Sequence, residues 1–227
     1  MSHDIKTHLH QILDTLPQGV RLVAVSKYHP ADAVEAAYAE GQRCFGESHE
    51  QELRQKQPLL PNDIQWHFIG HLQTNKVKYI APYIAMIETV DSIRLLREID
   101  RQAQRNNRVI DVLLELHVAQ EDTKYGLTPH DCRQLLADGE WRTLHHVRIC
   151  GLMMMATNTD DENLICQEFD TAAALFDELK DHYFPHDDYF CERSWGMSHD
   201  YKLAICHHST IVRIGTTIFG NREVIGR

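Results

Sequence analysis

The sequence predicts an α/β protein folded as a single (β/α)8 TIM barrel, and three observations carry that expectation. Short apolar runs alternate with longer amphipathic stretches along the whole chain. Several of the runs are near-continuously apolar, as strands covered on both faces are. The candidate strands number eight, the count that closes a parallel barrel. A doubly wound open sheet is the competing arrangement.

The elements follow in order. Leu9, Ile12, Leu13 and Leu16 suggest a helix ahead of the first strand, which is expected at 21–26. Residues 30–40 open with Pro30 and Asp32 and carry Ala33, Val34, Ala36 and Ala37 at helical spacing. Strands are expected at 44–47, 65–69 and 85–90. Asp91-Ser92 is a capping signal for a helix over 91–105, with Ile93, Leu95, Leu96 and Ile99 on its apolar side. Strands at 109–117 and 147–153 come next. A long helix over 161–183 carries Leu164, Phe169, Ala172, Leu175, Phe176 and Leu179. A strand at 189–193, a helix at 199–206 and a strand at 211–214 complete the series. No Gly/Ser linker, composition shift or low-complexity run divides the chain, so residues 1–227 read as one domain.

Composition narrows the function. The 227 residues are 43% hydrophobic and 25% charged. Such a chain folds without needing disulfides or a structural metal. A formal net charge of −10 repels phosphate backbones and anionic lipid, so neither nucleic acid nor a membrane surface is an expected partner. The start of the chain has no signal-peptide pattern, and no stretch approaches the ~18 apolar residues of a membrane span, so a cytoplasmic location is expected. Six cysteines are scattered with no C-x-x-C spacing, which reads as reduced, mostly buried thiols. Sixteen histidines include no H-E-x-x-H and no structural-zinc spacing, so no metal site is expected.

A parallel barrel builds its site at the C-terminal ends of its strands. Lys27 follows Leu22-Val23-Ala24-Val25 at the end of the first strand. A lysine packed there loses hydration, its pKa falls, and the neutral amine can attack a carbonyl. The plainer alternative is a strand-end lysine that reaches solvent. On the last strand Arg213 and Gly215 share a face. Gly215 permits close approach of a ligand, and Thr216-Thr217 open a short turn suited to a phosphate. An ordinary helix cap is the alternative. The loop Gly196-Met197-Ser198 offers further donors. An amine, a guanidinium and a phosphate cradle match the aldehyde, ring nitrogen and phosphate of pyridoxal 5′-phosphate.

At this point the sequence resembles the YggS/PROSC family of pyridoxal phosphate homeostasis proteins. The resemblance runs in order through nearly the whole chain. It is carried by Val25-Ser26-Lys27, by Gly41-Gln42-Arg43-Cys44-Phe45-Gly46-Glu47 and by Trp66-His67-Phe68-Ile69-Gly70-His71-Leu72-Gln73-Thr74-Asn75-Lys76. It continues through Val90-Asp91-Ser92, Gly151-Leu152-Met153, Gly196-Met197-Ser198-His199-Asp200 and Val212-Arg213-Ile214-Gly215-Thr216 with Ile218-Phe219-Gly220.

The resemblance implies a barrel like the alanine racemase N-terminal domain, with no second β domain after the eighth strand. Lys27 is expected to hold pyridoxal 5′-phosphate as a Schiff base. Ser198, Gly215 and Thr216 are expected to hold the phosphate, and Arg213 to face the pyridine nitrogen. A guanidinium only donates, so it keeps that nitrogen unprotonated and weakens the ring as an electron sink. No catalytic residue is assigned. The expected function is intracellular homeostasis of the cofactor by a monomer, with pyridoxal-phosphate-dependent apoenzymes as recipients. The alternatives are a racemase- or lyase-like enzyme acting on a small amino acid, and an aldolase-type barrel that uses Lys27 without the cofactor. The chain departs from the family pattern at Ser48, where an asparagine is usual, at His207-His208, and at Trp195. Lys124, in Glu121-Asp122-Thr123-Lys124-Tyr125-Gly126, is either near the cofactor mouth or a solvated loop lysine.

Overall fold

A computed structural model describes residues 2–119 and 125–220. Among them eight parallel strands close into a barrel in chain order. They are β1 (Arg21–Val25), β2 (Cys44–Glu47), β3 (Gln65–Phe68), β4 (Met86–Val90), β5 (Ile110–Leu116), β6 (Val147–Met154), β7 (Glu192–Ser194) and β8 (Ile211–Ile214). β1 pairs with both β2 and β8, Ala24 standing opposite Phe45 and Val23 opposite Arg213. That double pairing excludes the open sheet.

The helices are α1 (Ser2–Leu13), α2 (Ala31–Ala39), α3 (Glu50–Lys56), α4 (Val77–Ile80), α5 (Ile93–Arg105), α6 (Pro129–Ala137), α7 (Glu162–Tyr183), α8 (Tyr201–Cys206) and α9 (Thr216–Phe219). No helix among the described residues is long and apolar enough to cross a membrane.

Burial on both faces explains the continuous apolar runs. Val23, Val25, Cys44, Met86, Leu113, Cys150, Met153 and Ile211 form one cluster inside the barrel. The intervening Leu22, Ala24, Phe45, Phe68, Ile87, Val112, Leu114, Val212 and Ile214 belong to the second, between sheet and helices. Each large side chain fully buried there contributes roughly 1.5–3 kcal/mol of transfer free energy. Gly151 sits at φ +153°, where a Cβ would come within 1.8 Å of the Glu192 carbonyl. The ladder slips beside it, between Val112 and Leu113. Only glycine lets β6 and β7 approach this closely.

Seven strands lie within one or two residues of their expected ranges. The exception is β7, which begins at Glu192 rather than at 189. Tyr189 and Phe190 read as strand because they are aromatic, yet they pack rather than pair. Phe190 stacks on Phe184 with ring centroids 4.2 Å apart and on Phe176 at 4.8 Å, and its N–H closes a turn onto Asp187 O.

α3, α4 and α6 lie outside the helices expected from the sequence. α3 is almost wholly polar, with Leu53 its one fully buried apolar side chain. α6 carried a legible start, since Thr128 Oγ1 accepts from the Asp131 N–H and Pro129 is the first helical residue. The thiols are all free, but only Cys44, Cys132 and Cys150 are buried, and Cys191 and Cys206 are exposed.

Candidate functional site

The side chains of Val23 and Val25 face the barrel interior, and Lys27 is the next position of that alternation. It is half-buried and lines a cavity of about 230 Å³ at the C-terminal ends of the strands. Ser198, Arg213, Gly215 and Thr216 line the same cavity, so all five candidates are brought together. Val25, Ile69, Met155 and Met197 supply apolar walls. The volume suits a small ligand rather than a drug-sized one, for which about 300 Å³ is a minimum.

Two elements build the anion-binding side. At the start of α9, Ile218 N–H and Phe219 N–H both return to Gly215 O. The N–H groups of 215–217 precede that first turn and have no helical partner to take them. A Cβ on Gly215 would stand 2.9 Å from Val25 O and 3.1 Å from Val25 Cβ, so β1 leaves no room for a side chain there. The loop of Ser198 is pinned to β8 by Arg213 N–H donating to Gly196 O at 3.0 Å. Asp200, buried, accepts from Met197 N–H at 2.5 Å and closes the loop.

Arg213 is 4% exposed. Its Nη1 donates to Ser194 O at 2.7 Å and to Ser194 Oγ at 2.5 Å, and its Nη2 to Met154 O at 2.7 Å. Burial lowers its pKa, with the Glu88, Asp200 and Glu115 carboxylates opposing. A guanidinium nonetheless stays charged. Ser194 Oγ donates a hydrogen bond to Glu88 Oε2 at 2.6 Å. His67 Nδ1 meets Glu88 Oε1 at 2.6 Å. Burial opposes the charge on His67, but Cys44 and Glu88 outweigh it and raise the pKa to about 10. Burial works against the Glu88 carboxylate too, and His67, Arg213 and Ser194 outweigh it, holding its pKa below the usual range.

His67, Glu88, Ser194 and Glu115 were not assigned from the sequence. A signal existed. Glu88 stands inside Met86-Ile87-Glu88-Thr89-Val90, and a carboxylate within a run buried on both faces needs a buried partner. The family departures lie outside the cavity lining. Trp195 is fully buried, and its indole N–H donates to His207 O at 3.1 Å. His207 Nδ1 pairs with Asp170 at 2.6 Å. Lys124 falls outside the described residues. No cluster of metal-ligating side chains is present among the described residues.

The family model for the alanine racemase N-terminal domain matches residues 2–223. The chain is 38% identical over 208 residues to a pyridoxal phosphate homeostasis protein of Aquifex aeolicus, covering 89% of this chain and 87% of that protein. It is similar to the solved structure of PipY from Synechococcus elongatus with PLP bound, at a TM-score of 0.87 and 36% identity. That match covers 95% of this chain and all of the other. An alanine racemase from Bartonella henselae shares the fold at a TM-score of 0.73 and 15% identity.

Proposed function

Because the chain belongs to the alanine racemase N-terminal domain family, we propose that it binds pyridoxal 5′-phosphate and serves intracellular homeostasis of that cofactor. The observation that carries this reading is the meeting of Lys27, Arg213 and the Gly215-Thr216 turn in one cavity. The donor set fits the group. An amine suits its aldehyde, a fixed guanidinium suits a pyridine nitrogen that only accepts, and first-turn N–H groups with hydroxyls suit a phosphate.

When bound, pyridoxal 5′-phosphate supplies an aldehyde that condenses reversibly with amines and a ring that withdraws electrons. Lys27 would bind it covalently. Ser198, Gly215 and Thr216 would orient it by its phosphate, and Arg213 would donate to the ring nitrogen without protonating it. Val25, Ile69 and Met155 would keep water from one side. A donor that cannot give up its proton restrains carbanion chemistry, so the reading is of a protein that holds the cofactor and releases it to dependent apoenzymes. A cytoplasmic monomer is part of the same reading.

Reduction of the pyridoxal-phosphate-loaded protein with borohydride, followed by peptide mapping, tests it. A stable adduct on Lys27 is the expected result. An adduct on another lysine, or none, overturns the assignment. Turnover of L- or D-amino acids well above that of the free cofactor would replace the holding role with an enzymatic one.

A further inference from the structure

Both peptide groups that flank Lys27 are held by one ion pair on α3. Lys56 Nζ donates to the carbonyl of Ser26 at 2.8 Å, and Glu52 Oε1 accepts from the N–H of Tyr28 at 2.6 Å. The two side chains are one helical turn apart, with Nζ 2.7 Å from Oε1. The third acceptor for Lys56 is Glu47 Oε1 at 2.7 Å, which also accepts from Ser26 Oγ at 2.6 Å. An ammonium has three donors, and here each meets an acceptor. Lys56 is 5% exposed, and burial of a charge is tolerated only with such pairing.

The placement matters because of what lies between the anchors. The Ser26–Lys27 peptide is fixed by Lys56, and the Lys27–Tyr28 peptide by Glu52. His29 N–H then returns to Ser26 O at 3.1 Å, so the chain reverses directly after Lys27. Tyr28 sits at φ +67°, a conformation that a bulky residue rarely adopts. Glu52 receives the N–H that this turn leaves pointing at α3. None of Glu47, Glu52 and Lys56 lines the cavity.

We propose that Lys56 and Glu52 are positioning residues that fix the backbone on either side of Lys27, so that its side chain leaves β1 toward the cavity and not toward bulk water. This rests on the reading of Lys27 as the amine that holds pyridoxal 5′-phosphate, and adds the outer helix that aims it. Misplacement of a reacting group by about 1 Å can cost on the order of 100-fold in reactivity.

The test compares the full chain with Glu52→Ala, Glu52→Gln and Lys56→Met. Two rates are read at Lys27 by peptide mapping: labelling of the cofactor-free protein by trinitrobenzenesulfonate, and borohydride-trapped coupling after addition of pyridoxal 5′-phosphate. Glu52 is partly exposed, so its alanine variant should fold even if Lys56→Met does not. The expected result is a fall of about tenfold or more in trapped coupling, with faster labelling of Lys27 and unchanged labelling of the lysines other than Lys56, which loses an acceptor with Glu52. Glu52→Gln, whose amide oxygen still accepts from Tyr28 N–H, should recover much of the coupling. A purely structural role would lower the melting temperature without this selectivity or rescue. Unchanged rates at Lys27 in folded Glu52→Ala overturn the proposal. If the unaltered protein forms no Lys27 adduct, the cofactor reading fails, and the labelling comparison still decides the positioning role.

Discussion

Glu88 Oε1 lies 2.6 Å from His67 Nδ1 inside the barrel, while Glu88 Oε2 stands 3.7 Å from Arg213 Nη1. One carboxylate therefore serves two buried bases. With the His67 pKa raised and that of Glu88 lowered, the Glu88 carboxylate stands between two cationic side chains. Arg213 lines the cavity, so this pairing holds a fixed guanidinium at its wall, where a proton-accepting ligand benefits.

Removing the shared carboxylate tests that arrangement. Glu88→Gln takes from Arg213 the carboxylate 3.7 Å from its Nη1, leaving only Asp200 and Glu115 to offset its charge, and takes from Ser194 Oγ its charged acceptor. The expected loss is on the order of 3 kcal/mol, the usual cost of breaking a buried pair. Urea unfolding at neutral pH measures it, and an unchanged midpoint would contradict the shared-charge account.

Glu115 predicts the pH dependence. It is 3% exposed, and its Oε2 has no hydrogen-bond partner. Burial, reinforced by Asp91 and opposed by Arg213, raises its pKa from 4.5 to about 7. The folded chain thus holds this proton more tightly than the unfolded one. Stability from this group is fully present below pH 4.5 and is lost as pH rises through about 7. The whole window amounts to roughly 3 kcal/mol. Glu115→Gln should flatten the fall, read by urea unfolding at either end of the window. Glu47, also raised to about 7 by burial, will leave part of the slope in place.

Lys27→Ala should abolish the borohydride-stable adduct and leave stability within about 1 kcal/mol, because the side chain is only half-buried. Mass mapping and thermal melting report the two quantities separately. An adduct at the original level would transfer the covalent role to another lysine.

Gly215→Ala should weaken retention of pyridoxal 5′-phosphate about tenfold, or roughly 1.4 kcal/mol. The new methyl would meet Val25 O at 2.9 Å and push the start of α9 outward. Equilibrium titration checks this. Undiminished affinity would show that the N–H groups of this turn do not hold the ligand.

The local features of the site were legible. Lys27 continues the inward alternation of Val23 and Val25, and Arg213 and Gly215 share a face, because side-chain direction in a strand follows from sequence position alone. The short turn after the last strand was legible too, through Gly215-Thr216. α3 was not, since seven mostly polar residues carry almost no periodic apolar signal. Its grip on the peptides flanking Lys27 depends on where that helix docks.

By itself the sequence determined eight doubly covered strands and the residues at their ends, since hydrophobic periodicity is a property of neighbours in the chain. Tertiary structure alone decided that β8 closes onto β1, and that Glu88 finds His67 twenty-one positions away and Ser194 one hundred and six away. Those partners are set by the registers between strands and by the curvature of the closed sheet. No local pattern encodes either, because a buried charge specifies only that it must be paired, and not with which residue.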